Sequence, residues 1–129
     1  MNKDCVIGLQ WGDEGKGTIV DFLSYHYDIV ARYNGGCNAG HTVVIGKENF
    51  KLKVIPSGIF QSTAVIGSNV VIHPKSFVKE ISELNMRDIE LNLYCDYNCP
   101  VTTAYHIKKD HQDEKKVGKI GTTCKGIGP

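Results

Sequence analysis

The most constraining feature of this chain is a glycine-rich turn at residues 8–18, GLQWGDEGKGT, which follows an apolar segment and opens a predicted helix. Glycines let backbone N–H groups approach an anion without Cβ clashes. A helix start adds unpaired N–H groups and the positive end of the helix dipole. Lys16 would add a point charge to a bound phosphate. The turn therefore predicts an anion site at the first residues of a helix.

This turn departs from the common nucleoside-triphosphate loop, Gly-x-x-x-x-Gly-Lys-Ser/Thr. Counting back from Gly15 and Lys16, the first glycine position holds Gln10, and Gly17 stands at the Ser/Thr position. The hydroxyl that would reach Mg²⁺ is missing, and Asp13 lies within the loop. A carboxylate beside phosphates is repelled unless it holds the metal or takes a proton. The pattern indicates chemistry beyond simple nucleotide binding.

Composition narrows the class of protein. A length of 129 residues allows one domain, and a net charge of +1 implies no general attraction to nucleic acid or to an anionic membrane. Five cysteines, an odd number, favour a reducing cytoplasm over a disulfide framework. Cys95 and Cys99 could begin a zinc site, but no second ligand pair has a plausible spacing. Idle or buried thiols are the preferred interpretation.

Periodicity and turn signals predict the order of elements. Strands are expected at 5–10, 28–33, 42–45, 50–55, 63–66, 70–72 and 91–95, helices at 16–27, 74–85 and 101–116, and a loop at 118–129. The expected fold class is α/β, with a mainly parallel central sheet, a P-loop-like strand–loop–helix start and an antiparallel hairpin addition with a four-residue turn at 46–49.

Two further patterns bear on packing. The second helix carries an apolar stripe formed by Phe77, Val78, Ile81 and Leu84. The lysines of the third helix interleave with three acidic residues, which predicts a solvated helix face rather than a nucleic-acid patch; these residues are Asp110, Asp113 and Glu114.

The string QWGDEGKG at residues 10–17 resembles the adenylosuccinate synthetase family. Three further blocks match in order and spacing: GGCNAGHT at 35–42, IPSGI at 55–59 and IGTTCKGIGP at 120–129. The resemblance runs from about Val6 to the last residue. Because the family continues beyond the loop in which this chain stops, we expect residues 1–129 to be the N-terminal part of a single synthetase-like domain.

The resemblance implies a reaction. It is the GTP-dependent ligation of inosine monophosphate (IMP) and L-aspartate to adenylosuccinate, through 6-phosphoryl-IMP, with release of GDP and phosphate in AMP biosynthesis. It also implies Mg²⁺, a cytoplasmic homodimer at full length, no nucleic acid and no membrane, and a 129-residue piece that is inactive alone. The alternatives are a viral-type synthetase acting on deoxyguanylate, a GTP-binding switch protein and a non-catalytic GTP-binding fragment.

The resemblance also assigns residues. Asp13 would be the general base that removes the N1 proton of IMP, although an acidic helix cap is its plain alternative. His41 would donate to the transferring phosphoryl group, and Asp13 and Gly40 would hold the metal. GTP contacts are expected at Gly12, Asp13, Glu14, Gly15, Lys16, Gly17, Thr18, Gly40, His41 and Thr42. IMP contacts are expected at Asp13, Glu14, Gly15, Lys16, Asn38, Ala39, Gly40, His41 and Thr123.

Overall fold

The computed structural model describes residues 3–10, 12, 14–115 and 121–129. Within these ranges the helices are α1 (Lys16–Ser24), α2 (Pro74–Asn85) and α3 (Ala104–Asp113), with a 3₁₀ turn at Ser57–Phe60. The strands are β1 (Ile29–Arg32), β2 (Gly35–Gly36), β3 (His41–Ile45), β4 (Glu48–Leu52), β5 (Thr63–Ile66), β6 (Val70–Val71) and β7 (Leu93–Cys95). None of these helices is long and apolar enough to cross a membrane.

A parallel sheet forms the centre of the fold. Its strand order is β1-β5-β7, with Val30 opposite Ala64 and Val65 opposite Tyr94. Strands β2 and β6 form a second, short parallel pair. The parallel sheet and the antiparallel β3–β4 hairpin confirm the predicted α/β class. Since the carboxyl ends of parallel strands meet at one edge, the segment after β1 enters the region where α/β proteins bind ligands.

The β3–β4 hairpin is confirmed, but its turn is shorter than predicted. Ile45 pairs with Glu48, so the turn contains Gly46 and Lys47 rather than four residues. Gly46 has a φ of 60°, which fits a two-residue hairpin turn with glycine first. The hairpin also begins one residue early, at His41. The predicted catalytic histidine is therefore a strand residue fixed by cross-strand hydrogen bonds.

The core lies between the hairpin, the sheet and α2. One cluster contains Val43, Phe50, Leu52, Ile55, Ile59, Ala64 and Leu84, with Phe77 and Ile81 of α2 packed against it. The predicted stripe on α2 is correct except at Val78, which is 62% exposed. His73 caps α2 by accepting a hydrogen bond from the Ser76 N–H, and Pro74 occupies the first turn, as predicted.

The first predicted strand is wrong. Residues 5–10 have no strand structure, and the side chains of Ile7 and Leu9 are 61% and 88% exposed. An apolar run alone does not form a strand, because its backbone N–H and C=O groups need hydrogen bonds to a neighbouring strand. Within the described part of the chain no strand pairs with 5–10. Here the P-loop-like start consists of the loop and the helix.

The other predicted strands and helices are present; α2 and β5 have the predicted bounds, β4 is shifted to Glu48–Leu52, and β1, β6 and β7 are shorter than predicted. Helix α1 ends at Ser24 rather than Tyr27, and α3 spans ten residues instead of the predicted 101–116. Thr103 and His106 form a capping box that starts α3 later than its apolar pattern suggests. Residues 121–129 have no helix or strand, as predicted, and the rest of the predicted 118–129 loop lies outside the described residues.

Candidate functional site

The glycine-rich loop leads directly into the first turn of α1, which has no side-chain cap. Gly15 is the N-cap of α1 with a φ of 75°, a left-handed conformation that favours glycine. Its carbonyl accepts hydrogen bonds from the N–H groups of Thr18 (3.0 Å) and Ile19 (3.2 Å). No side chain caps the helix. The first N–H groups and the positive dipole end of α1 therefore suit an anionic ligand.

Glu14 draws the donors of this loop together. Its carboxylate accepts hydrogen bonds from Lys16 Nζ at 2.6 Å and from the N–H groups of Gln10 (3.2 Å) and Gly12 (3.3 Å). The bond from Lys16, helped by the backbone donors, lowers the pKa of Glu14 to about 2. The ammonium of Lys16 and two backbone N–H groups thus donate to the same carboxylate. A phosphate oxygen can accept hydrogen bonds from the same kinds of donor.

His41 packs directly on the start of α1. A Cβ on Gly17 would lie 2.8 Å from His41 Cβ, closer than carbon atoms can approach. Gly17 stands where the common nucleotide loop has Ser or Thr, so the structure gives a reason for the departure. The space that a hydroxyl side chain would fill is occupied by the imidazole. Loop and histidine are therefore one constellation, although 24 positions separate Gly17 from His41 in the chain.

The imidazole of His41 is half-buried, and only one of its two nitrogens has a hydrogen-bond partner. Burial lowers its pKa to about 4, and the positive charge of Arg32 acts in the same direction, while a backbone hydrogen bond with Ile55 opposes them. Nε2 is buried and has no hydrogen-bond partner. The bond to Ile55 therefore falls to Nδ1. A buried polar atom without a partner costs about 1–3 kcal/mol, and a ligand that forms a hydrogen bond with Nε2 would remove that cost.

Arg32 and Glu80 hold the backbone segment that lies beside His41. The Arg32 guanidinium donates to the carbonyls of Gly36 (2.8 Å), Val54 (3.3 Å) and Lys53. The Glu80 carboxylate, 4% exposed, accepts hydrogen bonds from the N–H groups of 53, 54 and 55 at 2.8–3.3 Å. Burial lowers the pKa of Arg32, and the charge of Glu80 opposes that shift. Together they fix residues 53–55, which include the partner of the imidazole.

These parts border one cleft of about 880 Å³. It brings together eleven of the thirteen sequence-predicted site residues: Gly12, Glu14, Gly15, Lys16, Gly17, Thr18, Asn38, Ala39, Gly40, His41 and Thr42. Asp13 lies outside the described residues. Thr123 is described and exposed, but it does not line this cleft. The volume falls in the usual range of about 300–1,000 Å³ for small-molecule sites.

The loop that carries Thr123 is attached to α3. Asp110, which is 5% exposed, accepts hydrogen bonds from the Thr122 hydroxyl (2.7 Å) and the Gly126 N–H (2.8 Å). The Glu114 carboxylate accepts from the N–H groups of Gly121 (3.0 Å) and Thr122 (2.9 Å). The expectation of a solvated helix face is therefore wrong for Asp110. Its side chain holds a loop.

A second cavity, of about 1000 Å³, lies by the amino ends of β1 and β5. The described residues that line it include three acids, Asp28, Asp88 and Glu90, and neither lysine nor arginine. Its charge repels phosphate, so the cleft at the glycine-rich loop is the candidate site.

The sequence analysis missed four residues that shape these loops: Arg32, Glu80, Asp110 and Glu114. Glu80 carries a signal, since it lies three residues after Phe77 and four before Leu84, on the apolar face of α2. An acid on such a face needs buried donors. Arg32, Asp110 and Glu114 offer no comparable signal, because none of them interrupts a predicted apolar face and their partners lie in other segments.

A glycine-rich loop that opens a helix beside the carboxyl ends of parallel strands is the arrangement of nucleotide-binding α/β proteins. A family model for adenylosuccinate synthetase matches residues 5–129. The chain therefore belongs to the adenylosuccinate synthetase family.

Individual relatives agree. The chain is 50% identical over its whole length to the adenylosuccinate synthetase of Thermodesulfovibrio yellowstonii and 53% identical to that of Lysinibacillus sphaericus. It spans 31% of the length of each of these relatives.

Two solved structures share the fold. One is fully ligated adenylosuccinate synthetase from Plasmodium falciparum, with a TM-score of 0.81 and 40% identity over 95% of this chain and 30% of that one. The other is the succinoaminodeoxyadenylate synthetase of cyanophage S-2L, bound to dGMP and to dATP as energy donor. Its TM-score is 0.73, at 25% identity over 92% of this chain and 34% of that one.

Proposed function

We propose that this chain supplies the phosphoryl-transfer half of an adenylosuccinate synthetase. The complete protein would join IMP and L-aspartate at the expense of GTP, through 6-phosphoryl-IMP, releasing GDP and phosphate. The observation that carries the proposal is the constellation of Lys16, the uncapped start of α1 and the unpartnered His41 Nε2 around one cleft. These groups present positive charge and a hydrogen-bonding atom where a phosphoryl group would lie.

The general base in this proposal is Asp13. O6 of neutral hypoxanthine is a poor nucleophile, and removal of the N1 proton would make O6 reactive toward the γ-phosphorus of GTP. The amine of aspartate would then displace phosphate from C6. A positioned base contributes about 10²–10⁴-fold. The flanking residues Gly12 and Glu14 line the cleft, which supports a place for Asp13 beside the substrates.

His41 would act on the phosphoryl group. With Nδ1 turned to Ile55, a neutral imidazole leaves a lone pair at Nε2 and must gain a proton before it can donate. The pKa of about 4 is that of His41 in the protein without ligand. A bound phosphate brings negative charge, which favours the protonated form and raises the pKa. His41 would therefore become a donor only when the phosphates are present, and the bond would strengthen as transition-state charge develops.

Mg²⁺ is part of this proposal and would neutralise phosphate charge when bound. Among the described residues there is no cluster of three or more His, Cys, Asp or Glu that could hold a metal ion. Magnesium rarely uses such a cage; it takes one or two carboxylates, substrate phosphates and water. Gly40, which lines the cleft, and Asp13 would provide oxygen ligands of the right chemistry.

Further contacts complete the proposed site. Glu14, Gly15, Lys16, Asn38 and Ala39 would contact IMP, and Thr123 its 5′-phosphate. Gly12, Gly17, Thr18 and Thr42 would contact GTP, which would share Glu14, Gly15 and Lys16 with IMP. A cytoplasmic homodimer is proposed for the complete protein, and five free cysteines suit a reducing compartment.

The activity test uses the complete protein and follows the absorbance of adenylosuccinate. Product should require IMP, GTP, aspartate and Mg²⁺ together. GTP hydrolysis without IMP and aspartate would instead identify a GTPase. Because the cyanophage enzyme is described with dGMP and dATP, these two should replace IMP and GTP in a parallel assay. Turnover with dGMP and none with IMP would reassign the substrate.

The first variant to test is Asp13→Asn. It should abolish turnover while leaving GTP binding largely intact, because the Asn side chain keeps the size and one oxygen of Asp13 but cannot take up the N1 proton. Asp88→Asn is the matched control, because Asp88 is exposed, lies outside the cleft and has a φ of 54° that Asn tolerates. Normal turnover in Asp13→Asn would contradict the assignment.

A further inference from the structure

A pair of thiols lies outside the nucleotide cleft. Strand β7 ends at Cys95, and the chain turns immediately. The Asp96 carboxylate accepts a hydrogen bond from the Asn98 N–H at 2.8 Å, and the Asp96 carbonyl accepts one from the Cys99 N–H at 3.2 Å. This turn brings the Sγ atoms of Cys95 and Cys99 to 3.7 Å. The sequence analysis treated both thiols as idle.

The two sulfurs have different surroundings. Cys95 is exposed, while Cys99 is half-buried against the cluster of Val54, Ile66 and Val70 and donates to the Gly67 carbonyl at 3.3 Å. Burial, followed by the hydrogen bond with Cys99, raises the pKa of Cys95 to about 11. One thiol therefore meets solvent, and the other is held beside it.

A metal site explains this pair poorly. Structural zinc takes four protein ligands, and no described group of three or more His, Cys, Asp or Glu is suitably placed. Two thiols in contact, one of them accessible to solvent, are instead the arrangement of a dithiol that can be oxidised to an internal disulfide. Closure requires the sulfurs to move from 3.7 Å to about 2.05 Å, within a short and mostly exposed turn.

We propose that Cys95 and Cys99 form a reversible dithiol–disulfide site whose oxidant is a small disulfide of the glutathione class. The Cys95 thiolate attacks one sulfur of the oxidant, a protein–glutathione disulfide forms, and one glutathione leaves. The Cys99 thiolate then attacks the Cys95 sulfur and expels the second glutathione. Two protein thiols are oxidised, one external disulfide is reduced, and the two thiol protons end on the two released glutathiones.

The site adjoins the nucleotide cleft through the backbone. Gly67, which accepts the Cys99 hydrogen bond, donates its own N–H to the Arg32 carbonyl at 2.9 Å. Disulfide formation removes the Cys99 donor from Gly67. The modification therefore alters the segment after β5, next to the strand that carries Arg32.

The test is thiol mapping after the protein has reached equilibrium with reduced and oxidised glutathione at pH 8. Because the raised pKa of Cys95 leaves little thiolate at this pH, incubation continues until the thiol content is constant. Remaining thiols are alkylated, and the protein is cleaved with trypsin. The peptide of residues 88–108 contains Cys95 and Cys99 and no other cysteine. We expect this peptide to lose two hydrogens, to escape alkylation at both positions together, and to recover both thiols with dithiothreitol.

Single variants separate the internal disulfide from ordinary glutathione adducts. In Cys95→Ser and in Cys99→Ser, the remaining thiol should stop at a glutathione adduct. Cys124→Ser is the matched control and should form the 88–108 disulfide as the unaltered protein does. The proposal is overturned if the unaltered peptide carries two alkyl groups, two glutathiones or a bond to another cysteine.

Discussion

At the scale of the residue, His41 shows how burial sets a protonation state. Its imidazole lies against Gly17, within the field of Arg32, and Nε2 has no partner. These conditions disfavour the charged ring. The same conditions make the ring responsive to an arriving phosphate, because a negative group beside Nε2 would offset both burial and the arginine.

We predict that His41 titrates near pH 4 in the ligand-free protein and that its pKa rises when GTP is bound. The measurement is an NMR titration of the imidazole signals, with His41→Gln used to assign them. A ligand-free pKa at the ordinary value of about 6.5 would contradict the burial argument.

The lowered pKa of His41 also makes the free energy of unfolding depend on pH. The unfolded chain binds a proton at His41 at higher pH than the folded chain does. The free energy of unfolding should therefore fall as pH drops from about 6.5 to about 4, and this contribution should be intact above pH 6.5. The His41→Gln variant should lose that part of the pH dependence in urea unfolding.

At the scale of the element, Glu80 joins α2 to the segment after β4. One buried carboxylate takes the N–H groups of residues 53–55, while the Arg32 guanidinium takes the carbonyls of 53 and 54. Residues 53–55 leave the hairpin without strand partners. Their backbone groups are satisfied by side chains instead.

Glu80→Gln should lower the free energy of unfolding by about 1–3 kcal/mol, because it weakens buried charge-assisted hydrogen bonds and removes the charge opposite Arg32. Glu83→Gln on the same helix is the control. Its exposed pair with Lys79, at 3.6 Å, should contribute less than about 1 kcal/mol. Urea unfolding of both variants measures the difference, and equal effects would argue against a special role for Glu80.

At the scale of the whole molecule, the cleft and the Thr123 loop are separate parts. The residues that line the cleft include 12, 14–18 and 38–42, whereas the loop of 121–126 is held by Asp110 of α3 and by Glu114, which follows the helix. If Thr123 binds the IMP phosphate as proposed, the ligand must contact both parts.

Hydrogen exchange of the complete protein tests this arrangement. Addition of IMP with a non-hydrolysable GTP analogue should slow amide exchange in residues 12–18, 35–42 and 121–126 together. The turn at Gly46 and Lys47, which lies outside the cleft, serves as the internal control. Protection of the first two segments without the third would remove Thr123 from the proposed site.

The sequence predicted the elements that depend on local chemistry. Pro74 and the apolar spacing of α2 gave a helix with the observed bounds, and most strands lie where short apolar runs lie between turn residues. The two errors in strand prediction share one cause. The strand at 5–10 needs a pairing partner, and the hairpin turn was read as four residues because cross-strand register cannot be seen along one segment.

For the site, the sequence by itself determined the glycine-rich loop, Lys16 and the α/β class, since these follow from residue types at short spacings. The His41 block was assigned only through the resemblance to the family. Only the tertiary structure decided that Gly17 makes room for His41, that Glu80 and Arg32 hold the backbone beside it, and that Cys95 meets Cys99. The physical reason is that burial and charge-assisted contacts depend on which distant backbone groups the fold brings together.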